Sequence, residues 1–160
     1  MSVENTGRVV VCGSMKNLDL MTKIGEILES AGLAVVTPAP DEPGDTWSVE
    51  VSTDMKRKAS RRHMSHIRNH ATAAVLVVNV DRDGVRDYVG PNSFAEISIA
   101  FADDRRVFLL QGMPEYYEDE LDAWGVECLH GDLPRLVRDL GGQHDVAWSR
   151  WRDVYEIPVA

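Results

Sequence analysis

Two short apolar runs, residues 73–80 and 107–110, bracket a stretch of helical spacing that begins at Pro91. Apolar runs of this length on either side of a helix predict a β-α-β crossover, with parallel strands buried on both faces. The connection from the first run to the helix, residues 81–90, is polar and contains glycine. In such sheets ligands sit outside the carboxyl ends of the strands. The predicted crevice is therefore flanked by Asn79, the loop to Gly90 and the first turns of the helix, including Glu96.

The rest of the chain repeats the alternation. Arg8 and the Val-Val-Val-Cys run after it predict a strand that ends in a turn at Gly13 and Ser14. In residues 15–31, Leu18, Met21, Ile24, Ile27 and Leu28 share one helical face, and Gly32 stops the helix. Residues 33–37 read as a second strand, closed by Pro38 and Pro40. Residues 41–53 read as a loop with Trp47 as its large apolar residue. Thr53 or Asp54 is suited to cap a helix reaching about Asn69. Beyond the crossover come a short acidic helix at 115–124, a brief fifth strand at 126–129 and a helix at 133–140, stopped by Gly141 and Gly142. This order predicts an α/β three-layer sandwich around a five-stranded parallel sheet, with the flavodoxin-like strand order 2-1-3-4-5. One domain accounts for residues 1–142. Residues 143–160 form a tail with Trp148, Trp151 and Tyr155 at helical spacing, expected to pack on its own domain or on a partner subunit.

Composition narrows the function classes. A net charge of −9 argues against binding a nucleic-acid polymer through its phosphates. No apolar run approaches the roughly 20 residues that span a bilayer, and the N-terminus lacks a secretory apolar core. The two cysteines, Cys12 and Cys128, are too few for a disulfide framework and too isolated for a zinc site. Each ends a predicted strand and reads as a small buried hydrophobe. A cytoplasmic protein without metal or cofactor is the expectation. The charge is uneven: Lys56, Arg57, Lys58, Arg61, Arg62 and Arg68 crowd one helix with His63, His66 and His70, while acidic residues cluster at 41–54 and 115–122.

Three stretches carry possible chemistry. At Cys12-Gly13-Ser14, Gly13 permits close backbone approach, and Ser14 either caps the next helix or meets a phosphate there. The pattern is neither GxGxxG nor a Walker A loop. Glu96 lies beside the apolar stripe of Ile97, Ala100 and Phe101, just after a loop whose Asp87, Tyr88, Gly90, Asn92 and Ser93 suit sugar hydroxyls or phosphate. His63, His66 and His70 fall on one helical face at i, i+3 and i+7. HExxH is absent, so a solvated basic face outweighs a metal site.

Together these segments resemble the nucleoside 2-deoxyribosyltransferase superfamily, which includes the deoxynucleoside 5′-monophosphate N-glycosidases. Val11-Cys12-Gly13-Ser14-Met15 is similar to the family's opening strand and turn. His63-Met-Ser-His66 is similar to its second helix. Asn92-Ser-Phe-Ala-Glu96-Ile-Ser-Ile-Ala100 is similar to its G-x-x-x-E-[LI]-G-x-A signature, and Arg106-Val-Phe-Leu-Leu to the K-x-V-x-x-L strand that follows. The resemblance spans roughly residues 8–140. It implies cleavage of the N-glycosidic bond of a nucleoside or nucleoside 5′-monophosphate, by hydrolysis or base transfer. Glu96 would be the nucleophile at C1′, with an oxocarbenium-like transition state. A proton donor for the departing base falls to His66, where the family often has aspartate. Cys12, Gly13, Ser14, Asn79, Asp87, Tyr88, Gly90, Asn92, Ser93 and Arg62 would bind substrate. Val9-Val10-Val11 stands where the family often has a tyrosine, and Ser98 replaces the signature glycine. A homodimer or higher homo-oligomer is implied as well. The alternative is a non-catalytic nucleotide-binding or sensor module of the same fold.

Overall fold

The computed structural model describes residues 7–38 and 49–155, the side chains of residues 49–52 excepted. Five strands, β1 (Arg8–Gly13), β2 (Val35–Val36), β3 (Thr72–Val78), β4 (Arg106–Leu109) and β5 (Glu127–Cys128), form one sheet in the order β2-β1-β3-β4-β5. Every pairing is parallel. The α/β fold and the flavodoxin-like order expected from the alternating pattern are what the chain adopts.

Strand alternation divides the core in two. Val9, Val11, Ala74, Leu76, Val78 and Phe108 face one layer, built from α1 (Leu18–Ser30), α5 (Leu133–Asp139) and α6 (His144–Val154). Val10, Cys12, Val75, Val77, Val107 and Leu109 face the other, built from α2 (Val49–Arg68), α3 (Pro91–Ala102) and α4 (Glu118–Ala123). Central strands buried on both faces need apolar residues at every position, which is why β1, β3 and β4 read as unbroken runs.

Several boundaries differ from the sequence reading. α2 begins at Val49, before Thr53. Asp54 is not a cap; its carboxylate pairs with Arg57 at 3.5 Å and Lys58 at 3.1 Å, one turn on. α2 ends at Arg68, so His70 lies beyond it and is exposed, off the face shared by His63 and His66. The loop expected around Pro40 and Trp47 lies outside the described residues.

In α3 the buried positions are Ser93, Glu96, Ile97 and Ala100, whereas Phe101 is 44% exposed. At about 100° per residue, Glu96 and Phe101 sit on opposite margins of that arc. The helix is rolled toward Glu96, and Phe101 stacks on Trp124 at 5.2 Å instead of facing the sheet.

The aromatic tail packs at home. α6 lies against α1 and α5, and Trp151 is fully buried, its Nε1 donating to the Gly131 carbonyl at 2.7 Å. Tyr155 stacks on Trp151 at 4.7 Å, while Trp148 remains exposed. Among the described residues no helix is long and apolar enough to cross a membrane.

Candidate functional site

β1 and β3 are neighbours, yet the chain leaves β1 for β2 on one side and builds β3 and β4 on the other. That reversal opens a crevice at the carboxyl ends of the strands. Gly13 closes β1 there, and a side chain at this position would meet the Val78 carbonyl at 3.2 Å and Met21 Sδ at 3.0 Å. A glycine lets the two strand ends lie this close without either giving way. Pro91 begins α3 with Gly90 as its N-cap, and α2 crosses beside it.

Between these elements lies a cleft of about 210 Å³. Gly13, Met15, Thr37 and Pro38 line its strand side, and Lys56, Arg62, His63 and His66 of α2 face Asn92 and Glu96 of α3. Four residues singled out from the sequence as substrate-binding or catalytic, Gly13, His66, Asn92 and Glu96, thus share one cleft, and Arg62 joins them.

Glu96 is the buried carboxylate of this cleft, only 5% exposed. Asn92, one turn earlier, donates from Nδ2 to Oε1 at 2.9 Å. Oε2 lies 3.4 Å from His63 Nε2 but is buried without a hydrogen-bond partner. The same His63 Nε2 lies 3.3 Å from the Cys12 thiol sulfur. Cys12, His63 and Glu96 present their sulfur, nitrogen and oxygen within 4.8 Å of one another.

Burial biases all three groups toward neutrality. It raises the Glu96 carboxyl above its ordinary range, offset in part by the Cys12 thiol beside it. It lowers the His63 imidazole, against a hydrogen bond to the Val11 main chain that favours the protonated ring. It pushes the Cys12 thiol well up, and the neighbouring Glu96 charge adds to this. A dry pocket holding an acid, a base and a thiol in contact is suited to moving protons or holding a cation.

The remaining sequence candidates are placed elsewhere or are structurally engaged. Ser14 caps the short helical turn Met15–Asn17, accepting from Lys16 N at 3.4 Å, and also accepts from Arg82 Nη1 at 3.2 Å. Asn79 is fully buried and spent on the backbone, donating to the Gly112 carbonyl at 2.8 Å and accepting from Gln111 N at 2.8 Å. Asp87 takes a left-handed backbone (φ 53°) and donates its N–H to Asp81 Oδ1 at 2.8 Å. Tyr88 lies under the Arg82 guanidinium at 5.1 Å, and its hydroxyl approaches Gly90. Ser93 is buried in the α3 arc. None of these six, Gly90 included, lines the cleft.

Sequence reasoning passed over His63 in favour of His66, and it called Cys12 isolated. The signal was present, since two histidines one turn apart on α2 face the same way. Which of them meets Glu96 depends on how α2 lies across α3, and spacing does not carry that. No family model, no curated protein and no solved structure matches the chain.

Proposed function

We propose that the protein cleaves the N-glycosidic bond of a nucleoside or nucleoside 5′-monophosphate, by hydrolysis or by transfer of the base, with Glu96 as the nucleophile. The observation that carries this reading is the Glu96 carboxylate itself. It is buried, it lines a cleft with room for a sugar, Asn92 orients one oxygen, and the other oxygen has no hydrogen-bond partner.

The chemistry follows from that arrangement. A carboxylate held close to C1′ gains attraction as positive charge develops on the sugar, and the attraction is strongest where water is excluded. A Glu96 carboxylate oxygen forms the new bond to C1′ as the bond to the base breaks. His63, 3.4 Å from Oε2, acts as a positioning residue. Protonation of the departing base falls to His66, which lines the cleft from the next turn of α2. Lys56 and Arg62 offer charge to a 5′-phosphate. Lys58 is engaged with Asp54 at 3.1 Å. The resemblance to the deoxyribosyltransferase superfamily adds a homodimer or higher homo-oligomer, which sedimentation velocity tests. Two free cysteines suit a reducing, cytoplasmic setting.

Base release from a panel of nucleosides and nucleoside 5′-monophosphates, followed by chromatography, is the test. Glu96→Ala and Glu96→Gln should lower it on the order of 10³-fold or more. Activity retained in Glu96→Ala removes the nucleophile. One observation favours the second reading, a nucleotide-binding or sensor module: burial holds the Glu96 carboxyl toward its neutral, non-nucleophilic form. Calorimetric binding without any base release would select it.

A further inference from the structure

We propose that Cys12, His63 and Glu96 form a binding site for a divalent cation of the Zn²⁺ class, with a fourth coordination position open to the cleft.

Two of the three donor pairs already stand at ligand spacing, and all three atoms lie within 4.8 Å of one another. With metal–sulfur, metal–nitrogen and metal–oxygen bonds of about 2.3, 2.0 and 2.1 Å, a tetrahedral centre sets S···N at about 3.5 Å and N···O at about 3.4 Å. The sulfur of Cys12 lies 3.3 Å from His63 Nε2, and Nε2 lies 3.4 Å from Glu96 Oε2. Oε2 of Glu96 is buried without a hydrogen-bond partner, on a side chain 5% exposed. A cation would satisfy all three donors at once.

Charge and softness select its class. A thiolate and a carboxylate cancel the two charges of the ion, and the imidazole is neutral, so the loaded cluster buries no net charge. The sulfur–nitrogen donor pair favours zinc over magnesium or calcium, which take oxygen ligands. As the metal–sulfur bond forms, the thiol proton leaves to solvent. Asn92 on Oε1 and the Val11 main chain on the His63 ring supply the outer hydrogen bonds that orient such ligands. Lys56 and Arg62 are cationic lining residues but exposed, so water screens them. His63 and Glu96 line the cleft, which leaves the fourth position to water or ligand; three protein donors with one open place is the pattern of reactive rather than structural zinc.

This site goes beyond the glycosidic reading and is independent of it in its binding readout. The two meet at Glu96: a carboxylate bonded to zinc cannot attack C1′, so the loaded protein is expected to be inactive and chelation to restore it.

Co²⁺ is the probe. Titrated into the chelator-treated full chain, it should give one equivalent of tetrahedral d–d absorption with a thiolate charge-transfer band. Cys12→Ser should remove the charge-transfer band, Glu96→Gln should weaken binding at least tenfold, and Cys128→Ser should change neither. Circular dichroism of each variant checks folding, and Zn²⁺ should displace the Co²⁺. No charge-transfer band in the wild-type chain, or the same band in folded Cys12→Ser, overturns the site. Base release by metal-free protein is scored separately, so failure of either idea leaves the other standing on its own measurement.

Discussion

Holding a carboxylate oxygen in the dry without a donor costs stability, and Glu96 does so. Replacing it by Gln keeps the Asn92 contact on the amide oxygen and turns an NH₂ toward His63. Metal-free Glu96→Gln should therefore be more stable than wild type by about 1–2 kcal/mol at pH 8, as read by urea unfolding. The sign with pH is fixed by the direction of the shift. A carboxyl raised on folding contributes stability that is full below its unfolded pKa and lost as pH rises through the folded one. The advantage of Gln should thus shrink on acidification; a pH-independent difference would mean that Glu96 ionises as freely as a surface carboxylate. For the same reason base release by metal-free protein should fall on the acid side at a pH above the ordinary carboxylate range. Asn92→Ala, which strips the donor from Oε1, should move that limb further up and lower turnover about 10- to 100-fold. The place of Glu96 on a cleft was readable because it follows a polar loop at a strand end. Its contact with His63 and Cys12 was not, because Cys12 and His63 are 51 residues apart and meet only when α2 crosses the sheet.

Elements were readable in proportion to their burial. β1, β3 and β4 announce themselves as apolar runs because both faces of the sheet are covered. β2 and β5, at the sheet edges, shrink to two residues each, fewer than the apolar stretches around them. The start of α2 was missed because Thr53 and Asp54 are good caps by type, and a residue's type does not say whether the helix has already begun. In the tail, spacing gave the helix and its aromatic stripe but not its docking surface. α6 closes the layer opposite the cleft, with the Trp151 indole on the Gly131 carbonyl. Trp151→Ala should cost about 3–5 kcal/mol of stability through the cavity it leaves. Trp151→Phe fills most of the space and removes the indole donor, but the Gly131 carbonyl keeps the Leu133 N–H at 3.1 Å, so it should cost only about 1 kcal/mol. Urea unfolding with unchanged m-values checks both. Base release per folded molecule should be unaltered, since α6 touches neither α2 nor α3 through this contact.

At the scale of the molecule, an acidic chain carries a cationic mouth. The net charge is −9, yet the charged groups along the α2 side of the cleft are Lys56 and Arg62. At physiological salt the screening length is about 8 Å, so a small anion in the cleft senses those two groups more than charges farther off. The molecule as a whole repels anions and the mouth attracts them, which makes the response to Arg62 diagnostic of ligand charge. If a 5′-phosphate sits against it, Arg62→Ala should raise the ratio of KM for a nucleoside 5′-monophosphate to KM for the matching nucleoside about tenfold, the worth of one charge-assisted contact. Raising the salt should lower the penalty, because screening has already weakened the wild-type contact. An equal rise in both KM values would instead assign Arg62 to the shape of the mouth, and the phosphate would have to be met by Lys56 or be absent from the substrate. The discrimination works because the strand order places the end of β1 and the first turn of α3 on one rim, with α2 laid across it, so that among the described lining residues the lysine and arginine that could meet a substituent of a sugar at Glu96 come from α2.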